Sequence, residues 1–377
     1  MKEWIPLILI SLIISGAGVY YWIDNTKQPT EYANITQVMS ENPGAEQFER
    51  AVHPRAFVFP RDLGSHNRFQ TEWWYFTGNL TTAEGRPFGY QLTFFRRAIR
   101  AERPAGQSAW ATNQLYMAHF ALSDIQSKSF LTFERFSRGS LGLAGAEAHP
   151  FKVWLENWAV SENRQGEWMM SAQSSKMSLQ LTLRLLKPMV FNGRDGLSQK
   201  GPEPGNASYY FSNTRIESTG TVIVDGKTYP VSGYSWLDRE WSSSALSQNQ
   251  TGWDWFSIQL DDWREIMLYQ IREKNGSISQ FSSGSFVNKD GSIVPLQKND
   301  FQITVVDRWR SPVSGQDYPA AWIIRIPLKG LLFSVKPLMK NQEHRHSFAY
   351  WEGAVVVEGE GLSGKGYVEL TGYTSNP

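Results

Sequence analysis

Two stretches of this chain carry the same aromatic phrase. Trp73–Leu80 reads WWYFTGNL and is followed, after nine residues, by Tyr90-Gln91-Leu92. Trp253–Leu260 reads WDWFSIQL and is followed, after eight, by Tyr269-Gln270-Ile271. Both fit W-x-[YW]-F-[ST]-x-[NQ]-L and then Y-Q-[LI], a spacing that suits the two strands of a hairpin. Successive side chains of a strand point to opposite faces. Glu72, Trp74 and Phe76 then share one face, and Trp73 and Tyr75 the other, so the strand is aromatic on both sides. A weaker echo pairs Gly233-Tyr234 and Leu237 with Gly366-Tyr367 and Leu370. The repeat predicts one strand-rich unit built twice, each copy opening on the aromatic hairpin and closing near a Gly-Tyr strand.

The rest of the body agrees with that reading. From His53 onward, short stretches rich in Val, Ile, Thr, Tyr, Phe and Trp alternate with turn signals such as Glu84-Gly85, Asp225-Gly226, Asn275-Gly276 and Asp290-Gly291. Many short strands argue for barrels or sandwiches, which remove or protect sheet edges. Ser242–Gln250 is Ser- and Gln-rich with little to bury, so the break between copies falls there. The expectation is an all-β chain with two antiparallel β-domains, 53–243 and 251–377. The Gly- and Pro-rich loop Phe191–Ser208 reads either as a binding loop or lid or as a surface excursion.

The N-terminus stands apart. Lys2 precedes Trp4–Ile23, a mostly apolar run closed by Asp24 and Lys27, and long enough to cross a bilayer as a helix. A cleaved signal peptide is the competing reading. The bulky Tyr20-Tyr21-Trp22 after the small residues favours a retained anchor, since aromatics suit a membrane interface. Residues 1–25 are therefore expected to be a membrane anchor or signal segment and 26–52 a polar tether. Either way the body is expected outside the cytoplasm.

Composition narrows the chemistry. The formal charge of the 377 residues is +1, with no basic run, so a nucleic-acid footprint is absent. There is no Cys, which excludes cysteine chemistry. No G-x-S-x-G elbow, H-E-x-x-H, phosphate loop or dinucleotide fingerprint occurs, so neither a serine hydrolase nor a cofactor enzyme has support. His344 and His346 would share a face of a strand, but no second ligand pair accompanies them; a solvated polar turn is the plainer reading and no metal is expected.

What remains is a set of ionisable groups embedded in aromatic strands. In GYSWLDREWS, Tyr234, Trp236, Asp238 and Glu240 share one face, and Leu237, Arg239 and Trp241 the other. Asp254 sits between Trp253 and Trp255, Glu352 follows Trp351, and His119 lies within YMAHFAL. Carboxylates among tryptophans are costly unless paired, hydrogen-bonded or protonated. An apolar site raises a carboxyl pKa and makes it a general acid near neutral pH, and aromatic faces stabilise a nearby cation. Such a site suits protonation of a double bond followed by capture of the cation by water. The structural alternative pairs Glu72 or Asp238 with Arg239 or Arg96 to fix packing.

The blocks HNRFQTEWWYFTGNL, GYQLTFFRR, YMAHFALSD, GYSWLDREW, GWDWFSIQL, YWEGAVVVEG and GYVELTGY resemble the lipocalin-like family labelled "predicted secreted hydrolase". More distantly they resemble the carotenoid 1,2-hydratases (hydroxyneurosporene synthases). The resemblance spans about residues 50–377 and implies two tandem lipocalin-like β-domains with an apolar ligand site between or within them. It also implies an acid that protonates a polyene end, for which Asp238 is the candidate by motif, with His119 and Tyr234 as helpers; the residues themselves add Glu72 as an alternative to His119 in the assisting role. Trp73, Trp74, Tyr75, Tyr234, Trp236, Trp253, Trp255 and Trp351 are the candidate walls. The expected ligand is a long apolar molecule, an isoprenoid or a lipid. Three readings stay open: a hydratase or isomerase, a non-catalytic carrier serving a membrane transporter, and an adaptor whose aromatics fill a core without a cavity.

Overall fold

The computed structural model describes residues 44–102, 108–243, 246–247 and 249–373. The expected anchor or signal segment, 1–25, lies outside the described residues, as does most of the tether. The described chain is nearly all strand, its helical turns being short 3-10 pieces such as Arg61–Leu63, and none of its helices is long and apolar enough to cross a membrane. Strands prevail because the sequence alternates β-branched and aromatic residues with turn signals, which suits a pleated surface.

Two antiparallel sheets form, one of 13 strands and one of 10. One of them curls into a nearly closed barrel and the other into a half-barrel. The two aromatic phrases hold equivalent places. Thr71–Thr81 lies between Pro87–Ala98 and the long Lys227–Ser242 strand. Gln250–Leu260 lies between Glu265–Glu273 and Leu362–Leu370. In the first, Tyr75 stands opposite Asp238; in the second, Trp255 stands opposite Glu369.

The two aromatic faces of each phrase do different things. Trp74, Phe76 and Leu80 pack with Phe120 and Trp158 into the first sheet's core. Phe256, Ile258 and Leu260 pack with Trp322 and Val355 into the second sheet's core. The opposite faces meet each other: Tyr75, Tyr210 and Trp236 of the first sheet form one cluster with Trp255, Tyr269 and Tyr367 of the second. Trp73 and Trp253 pack on its margin.

Polar ties hold the sheets together around this cluster. Glu265 accepts from Lys187 at 2.7 Å and from Arg215 at 2.6 Å, all three buried. Gln259 donates to the carbonyls of Thr214 and Ser235 at 2.8 and 3.0 Å, and Asn79 donates to that of Gly366 at 3.0 Å. The sheets come so close at Gly89 that a Cβ there would stand 2.6 Å from that of Ala354, which leaves room for no side chain.

Candidate functional site

Between the sheets lies an aromatic cavity enclosing about 850 Å³, counting the part open to solvent. Its walls follow from strand alternation. Trp73 and Tyr75 enter from one phrase and Trp253 and Trp255 from the other, while Tyr210, Tyr269, Phe95 and Tyr350 complete the aromatic lining. Apolar walls with a few placed polar groups are the usual form of a small-molecule site.

Four carboxyls and one ammonium line this cavity: Asp238, Glu240, Glu352, Glu369 and Lys200. Asp238 forms no ion pair among the described residues. It accepts from the Ser212 hydroxyl and, at 2.9 Å, from the Trp236 indole. Burial pushes its carboxyl up to about 7, the donors only partly opposing this and the charge of Glu240 adding to it. Glu369 is pushed up to about 8 by burial, with Asp238 and Glu240 adding repulsion. Glu352 stands directly opposite Glu369 in the sheet. Burial, then the charge of Glu369, hold it well above the usual carboxylate range, although the Tyr75 hydroxyl donates to it. Its other oxygen has no partner.

Lys200 is the one cation lining the cavity among the described residues. Its ammonium lies 3.4 Å from Glu240 and 3.9 Å from the centre of the Tyr269 ring. Burial works against its charge, but Glu240 and Tyr269 outweigh it and raise the pKa. The Phe191–Ser208 loop therefore delivers a side chain into the cavity instead of wandering over the surface. The adaptor reading, which required the rings to fill a solid core, is overturned by the cavity.

The described body matches the AttH-like family model over residues 50–373. The chain belongs to the AttH-like family. Its fold is similar to that of a solved AttH-family protein of Nitrosomonas europaea, at 34% identity, with a TM-score of 0.78 over 87% of this chain and 100% of that one. In sequence it is similar to the kievitone hydratase of Fusarium solani subsp. phaseoli, 23% identical over 214 residues, 53% of this chain. That match spans 58% of the hydratase's length. The solved kievitone hydratase of Nectria haematococca shares the fold at 13% identity, with a TM-score of 0.64 over 89% of this chain and 97% of that one. The lipocalin-like fold and the kinship with a hydratase thus both hold for this AttH-like chain; the matched hydratase is a kievitone enzyme, not a carotenoid one.

Of the residues singled out in the sequence, Asp238, Glu240, Glu352, Trp73, Tyr75, Trp253 and Trp255 meet in the AttH-like chain's cavity. The others are placed elsewhere. Glu72 is on the reverse face of its strand, wholly buried, bonded to both Arg96 and Arg239. Burial pushes it up, but the two guanidiniums and His66 hold it well below the usual carboxylate range, so it cannot serve as an acid. Trp74 and Trp351 face the two cores, where their indoles donate to the carbonyls of Leu63 and Lys340, each at 2.7 Å. Tyr234 shares a face with Asp238 but lies beyond the cavity, partly exposed beside Trp263. Trp236 does not line the cavity but stands behind it, donating to Asp238 and packing edge-on against Trp255. His119 stands behind the wall, its Nδ1 2.7 Å from the Tyr350 hydroxyl. His344 is fully buried against Tyr350, so the solvated turn is a misreading there.

Sequence reasoning did not reach Lys200, Tyr210, Tyr269, Tyr350 or Glu369. For Glu369 a signal existed. The Gly-Tyr echo aligns Asp238 with Thr371, whereas the sheet registers align it with Glu369, two residues away and on the same face.

Proposed function

We propose that this AttH-like protein adds water across a carbon–carbon double bond of a bound apolar ligand, with Asp238 as the general acid. The observation that carries the reading is Asp238 itself: a buried carboxyl without an ion-pair partner, among aromatic walls, with its pKa pushed up to about 7. An acid that titrates near the working pH is both protonated often enough and acidic enough to give its proton away. The proton goes to one alkene carbon. The cation left on the other is flanked by the faces of Trp73, Trp253 and Trp255, and water captures it. The kinship with an enzyme named for hydrating kievitone supports the same reaction class. We extend the reading to a long apolar ligand such as an isoprenoid or lipid, and to a protein working outside the cytoplasm, tethered or released by its N-terminal segment.

The test is incubation of the purified protein with kievitone, and separately with isoprenoid lipids, in oxygen-18 water. Gain of one labelled water by any of these, lost by a factor of about 10²–10⁴ in Asp238→Asn, is the expected result. Turnover unaffected by Asp238→Asn removes the acid assignment. A ligand that co-purifies and is returned at unchanged mass assigns the protein to the carrier class instead.

A further inference from the structure

The residue His119, set behind the wall, belongs to a chain of hydrogen bonds that ends in the cavity. His119 on the Gln114–Asp124 strand stands directly opposite Glu134 on Ser129–Arg138. Its Nε2 lies 2.9 Å from a Glu134 oxygen, and its Nδ1 lies 2.7 Å from the Tyr350 hydroxyl. Glu134 is partly exposed and is held by the exposed Ser347, whose hydroxyl donates to it at 2.6 Å. Tyr350, at the other end, lines the cavity. Three side chains therefore join the solvent edge to the ligand space.

The proton positions follow from what each group can do. Although burial works against its charge, donors from His119 and Ser347 hold Glu134 below the usual carboxylate range. An ionised carboxylate only accepts, so the His119 proton sits on Nε2. In the neutral ring Nδ1 is then a bare lone pair, to which the Tyr350 hydroxyl can donate. Gln91 donates to the Tyr350 oxygen at 3.3 Å, which leaves one lone pair of that oxygen unused. His344, stacked on the Tyr350 ring with centroids 4.4 Å apart, competes for nothing, since neither of its ring nitrogens has a partner.

We infer that Tyr350 is a second catalytic residue of this cavity, the base that takes a proton from the attacking water, with His119 and Glu134 as positioning residues behind it. The inference rests on the hydratase reading. Asp238 gives its proton to the alkene, forming a C–H bond and leaving a carbocation. The water oxygen bonds to that cation while one water proton passes to the Tyr350 oxygen. The Tyr350 proton moves in the same step to His119 Nδ1, and the imidazolium formed faces the Glu134 carboxylate. One proton then leaves through Glu134 to solvent and one returns to Asp238. The balance is one water added, nothing oxidised or reduced. Tyrosine suits this work because burial first, and then the charge of Glu352, hold its own pKa well above the usual phenol range, so it relays a proton and does not lose one.

The first arm of the test needs no substrate. Long-range proton–nitrogen NMR of the unliganded full chain should show His119 as the neutral Nε2–H tautomer, with an Nδ1 resonance that shifts in Tyr350→Phe. An Nδ1–H tautomer or an imidazolium overturns the inference, because Nδ1 could not then accept. The second arm uses whichever ligand shows Asp238-dependent turnover. Tyr350→Phe should lower kcat by about 10²-fold or more with KM little changed. Glu134→Gln should lower it less, with part restored by Glu134→Asp. Full kcat in Tyr350→Phe overturns the inference even where Asp238→Asn is dead. Full turnover in Asp238→Asn sinks the hydratase reading instead and leaves the tautomer result standing.

Discussion

The two aromatic phrases occupy matching places in their sheets and differ in how they hold their acids. In the first, the reverse face carries Glu72, bonded to two buried arginines, and its carboxyl is held well below the usual range. In the second, the reverse face carries Asp254, bonded to Arg272 and Tyr373. There burial outweighs the one bonded guanidinium, the Tyr373 hydroxyl and the charge of Arg308, and the pKa is raised. On the cavity side the two copies agree: each sets a cavity-lining acid, Asp238 or Glu369, opposite the second ring of its phrase. The number of arginines within reach, not the presence of tryptophans, decides whether an acid is a structural anion or a proton donor.

The largest expected effect breaks that contrast at its strongest point. Glu72→Gln leaves Arg96 and Arg239 buried without a counter-charge, and removing one partner of a buried pair costs about 3–5 kcal/mol. Asp254→Asn should cost about 1–2 kcal/mol, because Arg272 keeps the Thr371 carbonyl and is itself 16% exposed. Urea unfolding of the two variants measures this. Equal losses would mean that the second arginine adds nothing and that the two anions are equivalent after all.

Much of this contrast was legible in the sequence, and the reason it was only partly so is physical. Alternation gives the faces, so the co-facing of Trp73 with Tyr75 and of Trp236, Asp238 and Glu240 could be read from spacing alone. Alternation does not say which face meets a core and which meets another sheet when both are aromatic. That is why Trp74 and Trp351 read as walls, and Glu72 as an acid. The acids that the two phrases do not share, Glu72 and Asp254, are tied to arginines on the reverse faces, while the shared positions Trp73/Trp253 and Tyr75/Trp255 line the cavity. Lys200 was hidden because a loop between short strands carries no period from which its direction follows.

A smaller effect sharpens what the copies share. The folded pKa of Asp238, about 7, and of Glu369, about 8, lie above the ordinary values of 3.8 and 4.5. The folded chain then binds more protons than the unfolded one in that window, and stability falls as pH rises from about 4 to about 8. Glu72 and Asp62 shift the opposite way, so their contribution is lost only in acid. Asp238→Asn and Glu369→Gln should each stabilise the fold at pH 8, by a few kcal/mol, with the gain shrinking to nothing below about pH 4. Thermal unfolding across that range checks it. The double variant should gain less than the sum, since each charge raises the cost of the other; strict additivity would separate the two acids electrostatically.

The smallest effect concerns the one asymmetry on the cavity side. The first sheet supplies Lys200, and among the described residues lining the cavity the second supplies no cation. Lys200 is bound twice, by the charge of Glu240 and by the face of Tyr269. Lys200→Met keeps the stem and removes both, which should cost about 1–2 kcal/mol at neutral pH. Adding Glu240→Gln separates the two contributions, since taking away both members of a buried pair is commonly near neutral. Stability recovered in the double variant assigns the loss to a stranded Glu240. Stability still missing assigns it to the ammonium on the ring, and makes Lys200 part of the aromatic wall more than of the acid cluster.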